Sequence, residues 1–216
     1  VAPDNPDLPS TLAGHAVYAT YVGGFADSIE GTDQIPGVYN WLVGDEADWV
    51  RGARAFGGVE YRQLYPGISL RIEDVGGYNV GAGKDYAQDA YAIKTTYEVG
   101  PGADPRQIAI RYEGADSVTT DGRGNLVIQT PLGDITELAP TAYQVGGNGV
   151  GETLTTSWQL SGNTARFSVV GYDNSKTLYI DPIVLFARSF GGSSTEGLAS
   201  MHEDATGRCF TGNTYS

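Results

Sequence analysis

The chain predicts an all-β fold, an antiparallel β-sandwich or multi-sheet β domain, on three observations. Short apolar runs alternate in period two and are cut by Gly or Pro roughly every 8–12 residues. Glycine supplies 31 of 216 residues, and 14 tyrosines join runs of Val, Thr and Ile, the residue types that suit a pleated surface. No long window carries the apolar stripe of an amphipathic helix.

The elements follow in order. Residues 1–13 form an extended arm, because Pro3, Pro6 and Pro9 forbid a helix and remove backbone donors. Residues 16–22 read as a strand closed by Gly23-Gly24. Residues 35–43 are strand-like, and Gly44-Asp-Glu-Ala-Asp-Trp49 predicts a helical turn capped by Asp45. Residues 58–65 alternate and stop at the turn pair Pro66-Gly67. Strands over 68–75 and 91–99 flank the glycine-rich segment 76–83, which reads as a flexible loop. After the turn 101–105 come strands over 108–113, 118–120 and 125–130, the last two joined by Asp121-Gly-Arg-Gly in a hairpin signature. Further strands follow over 134–138, 141–145, 153–160, 164–170 and 177–186. The chain thus divides into an arm (1–13), an all-β domain (14–182) and a C-terminal segment (183–216).

That segment holds two short strands around a Gly/Ser turn, with a faint echo in Tyr18-Ala-Thr-Tyr-Val-Gly-Gly24. It reads as a single propeller-type repeat or a strand-exchange tail. An isolated hairpin is marginal in water, so this unit must pack on its own chain, on another copy, or on sequence beyond it.

The balance of 13 basic against 26 acidic residues, net −13, disfavours nucleic acid and anionic membranes, because phosphate binding needs clustered Lys and Arg. Such acidity reads first as solubility in an extracellular or salty setting, and more sharply as calcium binding by grouped carboxylates. With Cys209 as the single cysteine, neither an intrachain disulfide nor a cysteine zinc site can form. It reads as a small buried hydrophobe. No run of apolar residues is long enough to span a membrane as a helix. The start at Val1 and the Pro-rich leader suit a processed, secreted chain or a trimmed one.

Catalytic constellations are weak. His15 and His202 are the two histidines, and neither accompanies a Gly-x-Ser-x-Gly elbow. Asp45, Glu46, Asp48, Glu73 and Asp74 offer carboxylates for glycoside cleavage, yet adjacent loop acids are ordinarily solvated. Consecutive side chains in Met201-His-Glu-Asp204 diverge and do not share an ion. Gly122, Gly124, Gly146, Gly147 and Gly149 lack the Lys-Ser/Thr of a phosphate loop and read as turn glycines. Trp41, Trp49 and Trp158 with the tyrosines offer a carbohydrate platform, although strand alternation favours core and cross-strand packing.

Several segments together carry a resemblance: Tyr39-Asn40 with Gly44-Asp45 and Trp49, Tyr65-Pro-Gly-Ile68, Pro101-Gly-Ala-Asp-Pro105 and Arg111-Tyr-Glu-Gly-Ala-Asp116. To these add Asn125-Leu-Val-Ile with Thr130-Pro131, Pro140 with Tyr143-Gln144, and Tyr172-Asp-x-Ser-Lys176 with Ile180-Asp-Pro182. In this order they resemble a bacterial domain that precedes the seven-bladed β-propeller (SBBP) repeats of large secreted proteins. Phe190-Gly-Gly-Ser and Thr211-Gly-Asn-Thr-Tyr-Ser216 look like one such repeat. The chain departs from the pattern at Ser69, where an Asp is usual, in the insert 76–83, and in having one repeat. The resemblance implies a secreted or surface-anchored β protein and supplies no catalytic residues.

The expectation is therefore a non-enzymatic extracellular or cell-surface structural protein. It would be a subunit of a filament or similar assembly of its own copies, held by β-strand addition between subunits. Tyr18, Tyr21, Val22, Val184, Phe186, Phe190, Phe210 and Tyr215 are the candidate contacts. No cofactor is expected. The alternative is a glycan- or protein-binding adhesion module of a larger propeller-containing protein.

Overall fold

The structure, a computed structural model, describes residues 14–42, 44–77, 91–145, 151–186, 197–204 and 207–213. In chain order the strands are β1 (Gly14–Tyr21), β2 (Ser28–Trp41), β3 (Val50–Tyr65), β4 (Ile68–Gly77), β5 (Tyr91–Val99) and β6 (Ala109–Glu113). Next come β7 (Ser117–Thr120), β8 (Leu126–Gln129), β9 (Ile135–Glu137), β10 (Thr141–Val145) and β11 (Gly151–Ser161). β12 (Thr164–Val170), β13 (Leu178–Asp181), β14 (Ile183–Phe186), β15 (Gly197–Asp204) and β16 (Gly207–Asn213) complete the set. The fold is all-β, and the helical content of the described residues is two short 3-10 turns, Glu46–Asp48 and Pro105–Gln107.

Hydrogen bonding runs in the order β15-β16-β1-β6-β12-β11-β10-β13-β5-β14-β9-β8-β7, with β4, β3 and β2 branching from β5. The strand β11 belongs to two sheets. Its residues 151–154 pair with β10, whereas 155–161 pair with β12. One sheet thus carries β15, β16, β1, β6 and β12, and the other carries β10, β13, β5, β14, β9, β8, β7 and the β4-β3-β2 branch.

Alternation turns one face of each sheet inward. Val17, Ala19 and Tyr21 of β1 and Ala165 and Phe167 of β12 are buried against Ile68, Leu70 and Ile72 of β4 and Tyr97 and Val99 of β5, all in one cluster. Aromatic contacts join the layers. Tyr97 meets Phe167 edge-on at 5.3 Å, Trp158 tilts on Phe167 at 4.6 Å, and Tyr21 meets Tyr61 at 6.1 Å. Two buried phenols make hydrogen bonds inside the layers. Tyr65 Oη donates to the Ala109 carbonyl and accepts from the Ala109 N–H, both at 3.3 Å, and burial pushes this phenol's pKa up against the opposing pull of the Ala109 bond. Tyr112 Oη donates to Glu137 Oε1 at 2.7 Å.

Several expectations are refined. The strand expected over 177–186 is two strands, because Pro182 has no N–H to give the ladder. β13 pairs with β10 and β5, while β14 pairs with β5 and β9, so Pro182 marks a change of outer neighbour. The Thr95 N–H and hydroxyl both bond the Pro182 carbonyl at the break, at 3.0 and 3.2 Å. The expected boundary at 183 therefore falls at the start of a strand of the main body. The C-terminal strands β15 and β16 form a hairpin, and β16 pairs with β1 of the same chain from Gly14↔Asn213 to Thr20↔Gly207. The turn expected at 44–49 is present, but the Asp45 side chain makes no capping bond. The arm 1–13 and the insert residues 78–83 lie outside the described residues.

Among the described glycines, the steric limit is tightest at Gly114. Gly114 follows β6 with φ +88°, and a Cβ there would overlap the Ala16 carbonyl oxygen of β1. Its own carbonyl accepts a bond from His15 Nε2 at 2.5 Å. Gly114→Ala is expected to cost about 1–3 kcal/mol in urea unfolding. Gly122→Ala, with nothing within 4 Å and an ordinary φ, is the near-neutral control. Equal midpoints for the two variants would contradict this assignment.

Candidate functional site

The feature that stands apart from the sandwich is the hairpin of β2 and β3. Residues 58–65 of β3 have β4 on their second side, with pairs from Gly58↔Glu73 to Tyr65↔Ile68. Beyond that point residues 33–41 and 50–57 pair with each other, and no third strand joins them among the described residues. This leaves a two-stranded ribbon roughly 25–30 Å long projecting from the sheet.

Exposed basic and acidic groups brace its base. Glu30 and Glu60 are direct cross-strand partners, a repulsive arrangement of like charges. Arg62 spans both, at 3.1 Å from each carboxylate. Arg71 on β4 reaches Asp33 at 2.6 Å and Glu73 at 2.9 Å, tying β2 to β4 across the intervening strand. The Phe56 ring lies over Gly31, where any Cβ would overlap it.

The ribbon's edge is irregular. Pro36 cannot donate, Asp33 and Gly37 have positive φ, and the register slips between Ile35 and Tyr39 and again before Trp41. Proline and bulges on an edge strand discourage another strand from adding there.

The ribbon is apolar where a solvated hairpin would be polar. Val38 is 69% exposed, Trp41 68%, and Ile35, Tyr39, Leu42 and Val50 are also open to solvent. The tip that carries them is ordered by its own bonds. Asp48 N–H donates to the Asp45 carbonyl at 2.9 Å, Trp49 Nε1 donates to the Gly44 carbonyl at 3.2 Å, and Gly52 N–H donates to Asn40 Oδ1 at 2.9 Å. Arg51 sits 5.1 Å over the Trp49 ring and bonds Glu46 at 3.3 Å. Asp45 and Asp48 stay exposed beside the apolar groups. Such a tip is amphipathic and acidic, and its local bonds lower the ordering entropy that opposes a contact made through it.

A second surface lies at the other end of the body. The 3-10 turn Pro105–Gln107 starts with Asp104, whose carboxylate accepts from the Arg106 N–H, Nε and Nη2. These bonds hold the Asp104 pKa below the ordinary range. Pro105, Arg106, Phe167, Val169 and Tyr172 line an open depression of about 410 Å³. Arg166 is exposed nearby and donates to the Arg106 carbonyl at 3.3 Å. The loop that carries Tyr172 is pinned from inside. The buried Gln144 amide donates to the Asp173 and Lys176 carbonyls and accepts from the Asp173 N–H.

The candidate contacts read from the sequence are scattered. Tyr18 is exposed on β1 between β16 and β6. Tyr21 and Val184 are buried in the chain's own core, so they are unavailable to a neighbour in this arrangement. Val22 is half-buried, its N–H bonded to the Ala109 carbonyl at 2.8 Å. Phe186 and Phe210 lie on β14 and β16, paired through the backbone with Tyr91 and Val17. Phe190 and Tyr215 lie outside the described residues.

Of the catalytic candidates, Glu73 is tied to Arg71 and His15 to Gly114, and no group of three potential metal ligands assembles among the described residues. The tryptophans separate. Trp158 is core, whereas Trp41 and Trp49 mark the ribbon tip. The projecting ribbon was not legible in the sequence. Its signals were Pro36-Gly37 and Gly52 inside strand-like runs rich in exposed-type apolar residues.

Residues 2–183 match a family described as "Domain of unknown function (DUF7948)". The chain belongs to this family. The DUF7948 match takes in the ribbon, the depression and every strand through β13. Neither a curated protein nor a solved structure matches the chain.

The DUF7948 loop beside Tyr172 gives a pH test. Ser175 Oγ and N–H donate to Asp173 Oδ1 at 2.6 and 3.0 Å, and Lys176 lies 3.2 Å from Oδ2, which brings the Asp173 pKa down to about 2 from 3.8. A depressed carboxylate stabilises the fold fully above its unfolded value and loses that contribution as pH falls through its folded value. Asp173→Asn is therefore expected to melt below wild type at neutral pH. The gap should hold down to about pH 4 and close towards pH 2. A gap independent of pH would contradict the role given to this carboxylate.

Proposed function

We propose that this DUF7948 chain is a non-catalytic structural protein that assembles with copies of itself outside the cell, and that the β2–β3 ribbon makes the contact. The observation that carries the proposal is the exposed apolar tip around Val38, Trp41, Leu42 and Val50, braced by local hydrogen bonds. Several large apolar side chains exposed together on a folded body are a common mark of an interaction site. The acidic composition and the resemblance to domains preceding propeller repeats support a secreted or surface setting.

Strand addition by the chain termini is less well supported than a side-chain contact. The C-terminal hairpin occupies β1 of its own chain, and the β2 edge carries a proline and bulges.

A glycan-binding reading has one observation of its own. Tyr143 and Tyr179 stack at 5.1 Å on the outer face, where burial, with the Asp181 carboxylate for Tyr143 and Glu98 for Tyr179, pushes their pKa values up. Selective glycan-array binding lost in Tyr179→Ala would favour it.

The test of assembly is light scattering and electron microscopy of the full chain over a concentration series. Oligomers or filaments are expected, and Val38→Ser/Trp41→Ser should return the protein to monomers without changing its circular dichroism. A wild-type chain that stays monomeric up to sub-millimolar concentration would overturn the proposal.

A further inference from the structure

The ribbon tip and the depression lined by Arg106 and Tyr172 lie at opposite ends of the molecule. β3 runs from Val50 at the tip to Tyr65, a span of about 45–50 Å. At the Tyr65 end the Pro66-Gly67 turn meets the segment leading into the second 3-10 turn. The Gly100 N–H donates to the Gly67 carbonyl at 2.9 Å, and a Cβ on Gly67 would come within 2.8 Å of Ala103. The depression begins two residues later at Pro105. A tip held at the far end of a paired strand cannot fold back to it, so any meeting of the two surfaces is between molecules.

Their chemistry is complementary. The tip offers exposed Trp41 and Leu42 next to Asp45 and Asp48, which make no ion pair among the described residues. The depression offers a mixed lining, apolar at Pro105, Phe167, Val169 and Tyr172 and polar at Gln159 and Ser168, with arginines at its margin. Arg106 is already matched by Asp104, but Arg166 makes no ion pair among the described residues and supplies the uncompensated positive charge.

We propose that the ribbon tip of one copy seats in the Arg106–Tyr172 depression of the next. This rests on the self-assembly reading above and gives it a geometry. The two surfaces are different patches, so the contact is heterologous, and repeated head to tail it grows an open filament unless the rotation closes a ring. Burial of the indole supplies affinity, and the carboxylate–arginine pairs set register and encounter rate. The association should therefore weaken as salt rises.

Charge reversal tests it on the full-length chain. Asp45→Arg/Asp48→Arg and, separately, Arg166→Glu should each weaken self-association roughly tenfold or more in sedimentation velocity. An equimolar mixture of the two variants should regain it, because each then presents a matching end to the other. Arg166→Ala, a milder change at an exposed site, should give a smaller loss and guards against misfolding of the reversal. If Val38→Ser/Trp41→Ser abolishes association while Arg166→Glu and Arg166→Ala leave it intact, the ribbon binds elsewhere and this inference falls while the assembly reading stands. If the mixture fails to regain association, the pairing of these two surfaces is wrong. A wild-type chain that never associates removes both.

Discussion

The aromatic contacts between the sheets are the constraint on which every other feature depends. Phe167 lies against Trp158 within its own layer and meets Tyr97 of the facing one, and Tyr21 meets Tyr61 further along the same interface. These large side chains fix the spacing of the layers and bury the inward face of each strand. β11 passes from one sheet to the other beside this interface. The same packing holds β3 and β4 at the base of the ribbon, so that the hairpin leaves the body in a defined direction.

The ribbon and the body obey opposite rules. In the body, alternation separates buried from exposed side chains strand by strand, as in β1, β4 and β12. In the ribbon there is no inside, and apolar side chains at Val38, Trp41 and Val50 face water. Their exposure costs solubility, which the net charge of −13 offsets. Hydrogen bonds and the Arg51–Trp49 contact brace the tip, and the irregular edge limits unplanned strand pairing. A surface with those three properties serves directed contact better than adhesion at random.

Much of the body was legible because its signals are local. β5, β10 and β12 occupy the residues that alternation and punctuation assign, and Pro66-Gly67 and Asp121-Gly-Arg-Gly close the hairpins they announce. What escaped is non-local. Residues 28–34 have little period-two contrast, since Glu30, Gly31 and Asp33 sit in a strand with no buried face. The partner of the C-terminal strands could not be read either, because pairing of β16 with β1 joins residues nearly the whole chain apart. Tyr21 and Val184 illustrate the same limit at the level of single residues. An apolar strand residue has one sequence signature whether it fills a core or an interface, and both fill the core. The depression combines a turn, a strand and a loop, and no short motif announces it.

The central claim is that copies meet through the ribbon while the sandwich stays closed. Hydrogen exchange followed by mass spectrometry on the full chain, in dilute and in concentrated solution, tests it most directly. The account predicts that concentration slows exchange at residues 33–57 and leaves β1 and β5 unchanged. Slowed exchange confined to β1 and the C-terminal strands, with the ribbon as open in concentrated as in dilute solution, would contradict it.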